Sequence, residues 1–67
     1  MRHLTPDQER WAEALAVECQ HGEDAPQFIA ERIGALALAG DMEGVERWRE
    51  IASRLDEIRR SMPKPAS

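Results

Sequence analysis

The sequence contains few of the residues that small proteins use to reinforce a fold or to carry out chemistry. Among its 67 residues there are one cysteine, two histidines, two tryptophans, one phenylalanine and no tyrosine. A single cysteine excludes an intramolecular disulfide, and a chain of this length buries only about 60% of its unfolded surface. The sequence therefore predicts one helical domain over residues 1–67, of a size at which proteins often bind a metal or oligomerise.

Long apolar runs and basic clusters are missing as well. No stretch reaches the roughly 20 apolar residues of a membrane span, and the start, MRHLTPDQER, lacks the apolar core of a signal peptide. The net charge is −4, whereas nucleic acids and anionic membranes are bound by basic surfaces. We expect a cytoplasmic protein that binds neither nucleic acid nor membrane. Its arginine-rich, alanine-rich composition suggests a GC-rich bacterial genome.

The most apolar stretch is APQFIAERIGALALAG, residues 25–40. At about 100° per residue it forms a helix over about 25–39 with apolar side chains nearly all round. Four large residues mark its main face: Phe28, Ile29, Ile33 and Leu36. Because a helix with so little polar surface needs cover on most sides, we expect this second helix to be central.

A first helix is predicted at about 6–21. Thr5 is a suitable N-cap that forms a capping box with Gln8, and Gly22 favours a stop after His21. Its inward face is predicted from four residues at helical spacing: Leu4, Trp11, Leu15 and Cys19. Val17 points away from that face.

The residues between the predicted helices indicate where one helix ends and the next begins. Asp24 and Gln27 predict a second capping box after a polar link, and a stop at Gly40 followed by the Asp41 cap forces an antiparallel helix pair. The third helix is expected at about 42–60, and residues 62–67, MPKPAS, as a flexible tail. The predicted fold class is all-α, a three-helix up-down-up bundle with helix two central.

The third helix has the clearest amphipathic pattern. Six apolar residues share one stripe: Val45, Trp48, Ile51, Ala52, Leu55 and Ile58. On the opposite side, Glu43 with Arg47 and Glu50 with Arg54 have the spacing of ion pairs one helical turn apart. We expect this helix to pack with its stripe inward and its ion pairs in solvent.

Glu18, Cys19 and His21 are the candidates for a metal site. Glu18-x-x-His21 has the spacing of half a carboxylate-bridged di-iron site, and thiolate and imidazole are zinc ligands. In the structural alternative, His21 caps a helix, Cys19 packs in the core, and Glu18 forms an ion pair with Arg32. Since Cys19 and His21 lie about 200° apart on a helix, we expect neither a nucleophilic enzyme nor a cofactor.

A strip of small residues on helix two is the candidate interface. Gly34 costs about 1 kcal/mol relative to alanine in a helix, which indicates close approach of another backbone, either of the same chain or of a second copy. Ala30 and Ala37 extend the strip, and Leu38 and Val17 lie outside the predicted core faces. Together these five residues predict contact with a second copy or another protein.

One segment suggests DNA binding. IAERIG, residues 29–34, resembles the start of a helix-turn-helix. The residues after it, 35–39, prolong the same helix instead of turning, and the next helix begins with acidic residues that would repel phosphate: Asp41, Glu43, Glu46 and Glu50. A DNA-associated regulator therefore stays an alternative to an interaction module.

Residues 11–58 resemble short uncharacterised alphaproteobacterial proteins that form a family of unknown function. The resemblance is carried by the Trp11 helix, by PQFIAERIGALALAGD and by the VERWREIA helix. It implies a stand-alone bacterial helical protein and transfers no catalytic residues. We expect a small cytoplasmic interaction or regulatory module that forms a homodimer. The alternatives are a metal-binding helical protein that assembles its site on dimerisation, and a DNA-associated regulator.

Overall fold

The computed structural model describes residues 4–61. It consists of α1 (Pro6–His21), a 3-10 turn (Gly22–Asp24), α2 (Ala25–Leu38) and α3 (Met42–Ser61), with no strand in this range. Among these residues no helix combines the length and apolarity needed to cross a membrane. The expected flexible tail, residues 62–67, lies outside the described residues.

The described chain has two continuous helical segments and not three separate helices. The 3-10 turn joins α1 directly to α2, so only residues 39–41 interrupt helical structure between Pro6 and Ser61. Gly22 adopts a positive φ of 55° and redirects the chain within one residue, so no longer loop is needed. The all-α class and the approximate helix limits agree with the sequence, but the three-helix up-down-up bundle is wrong.

The two predicted capping boxes differ in outcome. The Thr5 hydroxyl accepts a hydrogen bond from the Gln8 backbone N–H at 3.1 Å, and the Gln8 side chain accepts one from the Thr5 N–H at 2.9 Å. Asp24 makes no capping bond, and Gln27 donates to Glu31 instead. The second box fails because Asp24 has helical backbone angles within the 3-10 turn, whereas a capping residue needs extended backbone.

The turn between α2 and α3 forms as the sequence indicates. Gly40, at φ 77°, donates its N–H to the Ala37 carbonyl at 3.1 Å, and Asp41 donates to the Leu36 carbonyl at 2.9 Å, which is the Schellman pattern. The Asp41 carboxylate then caps α3 by accepting from the Gly44 N–H at 2.9 Å. These bonds close α2 and α3 into an antiparallel hairpin.

The central helix is α3 and not α2. It contacts both α1 and α2, which contact each other much less, and it buries three large side chains: Val45, Ile51 and Leu55. By contrast, α2 buries only Ala25 and Ile29. The prediction that helix two is central is wrong because much of its apolar character comes from alanine and glycine, which remove little surface from water.

The buried face of α1 also differs from the predicted one. Ala14 is fully buried and Val17 is 7% exposed, whereas Leu15 is 51% exposed and Cys19 is exposed. Val17, predicted to meet a partner, therefore lies in the core of its own chain. Ala14 is buried in place of Leu15 because a small side chain lets another helix approach closely.

The ion pairs show that α1 crosses α3 at an angle. Glu13 contacts Arg47, and Glu18 contacts Arg59. Five residues along α1 span about 7.5 Å, whereas the twelve residues between the arginines span about 18 Å of α3, so the helices do not lie side by side. The molecule is correspondingly extended: its radius of gyration is 13.0 Å, against about 11 Å for a compact domain of this length.

Candidate functional site

The three candidate metal ligands serve separate contacts. The Glu18 carboxylate accepts a hydrogen bond from Arg59 at 3.0 Å, and the His21 ring stacks on Phe28 with 3.9 Å between ring centroids. Cys19 is an exposed thiol, so its predicted place in the core is wrong. Within residues 4–61 no group of three or more histidine, cysteine or acidic side chains is placed to hold a metal ion.

Arg59 joins the last turns of α3 to the end of α1. Its guanidinium donates to the Glu18 carboxylate and to the Gly22 carbonyl. The predicted pair between Glu18 and Arg32 is therefore wrong, and Arg32 lies over the Trp48 ring at 5.7 Å from its centroid. That prediction assumed that α1 packs alongside α2, whereas α1 packs mainly against α3.

Removing the Arg59 side chain should measure this contact. We expect Arg59→Ala to lower the free energy of unfolding by about 1–3 kcal/mol, because two acceptors lose their partner. Arg60→Ala is the matched control, since Asp56, with which Arg60 pairs, is one helical turn away and the Arg60 side chain is 74% exposed; its loss should be clearly smaller, because exposed ion pairs contribute little. Urea titration followed by circular dichroism compares the two, and equal losses would contradict the role given to Arg59.

Side chains with large π surfaces link α1, α2 and α3. Beyond the contact between His21 and Phe28, the Phe28 and Trp48 rings meet edge to face, with centroids 5.9 Å apart. In a separate contact between α3 and α1, the Arg54 guanidinium lies 5.3 Å from the Trp11 ring centroid. Both tryptophans were predicted to be core residues, and both are half-buried. Each ring is partly covered by its own chain and by an arginine. Both tryptophans are therefore less accessible than Leu38, which is 92% exposed.

Charged residues of α1 and α3 face each other across the helix crossing. In addition to the pair between Arg59 and Glu18, three ion pairs join these helices: Arg10 with Glu50, Arg47 with Glu13, and Arg54 with Asp7. The hydrogen bond from Arg10 to Glu50 raises the pKa of the arginine above its ordinary value, and desolvation opposes this increase. The predicted pairing of Arg47 and Arg54 with acids of α3 itself, Glu43 and Glu50, is wrong because both arginines turn toward α1.

One helix face has an unusual composition for an exposed surface. Ala30, Gly34, Ala37 and Leu38 lie between about 80° and 180° around α2 from the buried Ile29, next to Gln27 and Glu31, and all four are exposed; we call them the outward face of α2. Leu38 is 92% exposed. An amphipathic helix normally carries polar or charged residues on this side. These four residues of the predicted interface are thus accessible.

Gly34 has no packing role within the described chain. A Cβ atom placed on it would meet no atom of residues 4–61 within 4 Å, and its backbone is helical. Of the two explanations given by the sequence, close approach of another part of the same chain is therefore wrong for these residues. Position 34 therefore holds glycine in a helix that alanine would stabilise by about 1 kcal/mol more.

Three further exposed apolar residues were missed or misplaced by sequence reasoning. Leu4, predicted on the inward face of the first helix, is 53% exposed. Met42, the first residue of α3, is exposed, and its position directly after the Asp41 cap, outside the apolar stripe of α3, could have indicated this. Leu15 was assigned to the core and lies on the outer side of α1. No signal in the sequence separates Leu15 from a core residue, because its spacing fits a buried stripe.

Comparison with known proteins gives one match. The model of a family described as "Family of unknown function (DUF6961)" matches residues 6–62. No curated protein and no solved structure matches the chain. The matched range includes α1, α2 and α3 and covers most of the sequence, which confirms the resemblance to an uncharacterised family. The chain therefore belongs to DUF6961, a family of unknown function.

Proposed function

We propose that the protein is a small interaction module that associates with a second copy of itself through the outward face of α2. Gly34 is the observation that carries this proposal. It occupies the middle of a helix, where glycine is unfavourable, and nothing in residues 4–61 packs against it. A glycine at such a position is explained when another backbone approaches closely.

The charge distribution supports association at this face. The chain has a net charge of −4, so two copies repel each other wherever acidic surfaces meet. Residues 33–40 contain no charged side chain, and Arg32, next to them, is directed toward Trp48. The outward face of α2 is therefore a surface on which two copies meet without burying charge.

The size of this face sets the expected strength of association. One helix face per copy offers less area than the roughly 800 Å² that each partner buries in a standard interface. We therefore expect a weak, reversible dimer. The core, which contains Ile51 and Leu55 as its large α3 residues, belongs to each chain separately, so the monomer keeps its fold when the dimer dissociates.

The setting that we propose is the bacterial cytoplasm, with a regulatory or adaptor role in which another protein can occupy the same face. The exposed thiol of Cys19 suits a reducing compartment. A metal-binding or DNA-associated role has less support. Glu18 and His21 are already engaged by Arg59 and Phe28, and acidic residues such as Glu43 begin α3.

Replacing the exposed leucine of α2 tests the proposal. We expect the wild type to dimerise with rising concentration in sedimentation equilibrium, and Leu38→Lys to remain monomeric, because a charged amine would be buried in the interface. Lysine suits the C-terminal end of a helix, so the fold should be retained. Leu15→Lys is the control, since Leu15 is also exposed but lies on α1.

Two outcomes would contradict the proposal. One is a wild type that stays monomeric up to its solubility limit. The other is an equal loss of association in Leu15→Lys and Leu38→Lys, because α2 would then have no special part in the contact. Circular dichroism of each variant establishes that the helices are intact before association is compared.

A further inference from the structure

We propose that a cavity between α2 and the second half of α3 binds a small neutral amide. The cavity has a volume of about 130 Å³. An apolar cavity of roughly 150 Å³ holds benzene, so this one suits a ligand of about six non-hydrogen atoms. Six residues line it: Pro26, Ile29, Ala52, Leu55, Asp56 and Arg59. The inference goes beyond the proposed function, because it does not use the outward face of α2.

The apolar residues of the cavity determine the body of the ligand. Ile29 and Leu55 belong to the buried core, and Pro26 and Ala52 extend the apolar lining. A short hydrocarbon chain gains free energy when it leaves water and packs against such side chains. Small-molecule sites combine walls of this kind with a few polar groups that fix the orientation of the ligand.

Arg59 supplies an unsatisfied hydrogen-bond donor at this cavity. Its Nη2 donates to the Glu18 carboxylate and to the Gly22 carbonyl. Its Nε, in contrast, is buried, and no atom of residues 4–61 accepts a hydrogen bond from it. A buried donor without a partner costs free energy, and native proteins leave few such groups. We therefore expect a molecule in the cavity to provide an acceptor oxygen.

The charged groups at the cavity favour a neutral ligand. Arg59 is paired with Glu18, and Asp56 is paired with Arg60. A carboxylate or an amine in the cavity would lose its hydration without gaining an unpaired counter-charge. An amide is neutral and offers a carbonyl oxygen to the Arg59 Nε–H and N–H groups to the Asp56 carboxylate. The two polar residues and the apolar walls thus match a small aliphatic carboxamide.

Titration of the isotope-labelled protein with isobutyramide, followed by NMR, tests the inference. Isobutyrate is the matched control ligand, because it has the same size and shape but carries a negative charge. We expect isobutyramide to shift the Arg59 Nε–H signal and the Ile29 and Leu55 methyl signals saturably. Its dissociation constant should be millimolar, since so small a ligand makes few contacts, and isobutyrate should bind roughly tenfold more weakly. Cavity signals that do not respond to isobutyramide, or that respond equally to isobutyrate, would overturn the inference.

Two variants locate the bound amide. Arg59→Lys keeps the positive charge but places a methylene group where arginine has Nε, so it should weaken isobutyramide binding roughly tenfold. Ala52→Leu fills the cavity and should abolish binding, whereas Ala35→Leu adds the same bulk at an exposed position of α2 and should not. Unchanged affinity in Arg59→Lys, or equal affinity in the two leucine variants, would overturn the site. Should Ala52→Leu fail to fold, Ala52→Val and Ala35→Val provide the same comparison.

Discussion

Ile51→Ala should lower the free energy of unfolding by about 2–5 kcal/mol, a large part of the stability of so small a domain. Ile51 is the largest side chain that the described chain buries completely. It belongs to a core cluster to which α1 contributes Val17 and α2 contributes Ile29. Truncating it therefore removes contacts with both neighbours of α3 at once and leaves a cavity between them.

The matched variant is Ile33→Ala on α2, where the side chain is only half-buried. Its loss should be clearly smaller, since fewer contacts disappear and water can reach the site. Urea denaturation followed by circular dichroism gives both values. Should Ile51→Ala fail to fold, Ile51→Val and Ile33→Val provide the same comparison at about 0.5–1.5 kcal/mol for a fully buried site. An equal or larger loss at Ile33 would restore α2 as the central helix and contradict the fold.

The limits of the helices could be predicted from the sequence because they depend on neighbouring residues. Thr5 and Gln8 bond each other three residues apart, and Gly40 and Asp41 end one helix and begin the next. The exception is Asp24, whose backbone is drawn into a 3-10 turn. A local signal therefore fails where the connection itself becomes helical.

Helix packing could not be predicted in the same way. Leu15 fits a buried stripe better than Ala14 does, yet Ala14 is buried, because α1 crosses α3 at an angle that no residue of α1 specifies alone. Once this crossing is present, Arg47 and Arg54 reach acids on α1. The ion pairs predicted within α3 were wrong for this reason. Which acidic residues these arginines contact thus depends on how the helices pack, and the charged residues do not determine that packing.

The candidate interface could be predicted only in part from the sequence. Gly34 and Leu38 stand out in the sequence because their residue types do not suit an exposed helix, so they could be identified without a structure. Val17 was included because it lay outside a predicted face that proved incorrect, and it is buried. The composition of one helix was thus informative, whereas the assignment of inner and outer faces needed the three-dimensional arrangement.

Substitutions of Gly34 should change stability and association in opposite directions. Gly34→Ala should raise the free energy of unfolding of the monomer by about 1 kcal/mol, because the added methyl group meets no atom of residues 4–61. Gly34→Leu should also leave the fold intact. In the proposed dimer, however, a side chain at this point would separate the two backbones, so Gly34→Leu should weaken association at least tenfold, equivalent to about 1.4 kcal/mol.

Ala35→Leu is the control for added bulk, because Ala35 is exposed on the same helix but lies about 100° away from Gly34. It should leave the dimer unchanged. Chemical denaturation at a concentration where the chain is monomeric gives stability, and sedimentation equilibrium gives association. If Gly34 served the packing of its own chain, Gly34→Leu would lower both quantities together, and Gly34→Ala would not be stabilising. A more stable Gly34→Ala monomer combined with a weaker Gly34→Leu dimer requires that the space above Gly34 be filled by a second molecule.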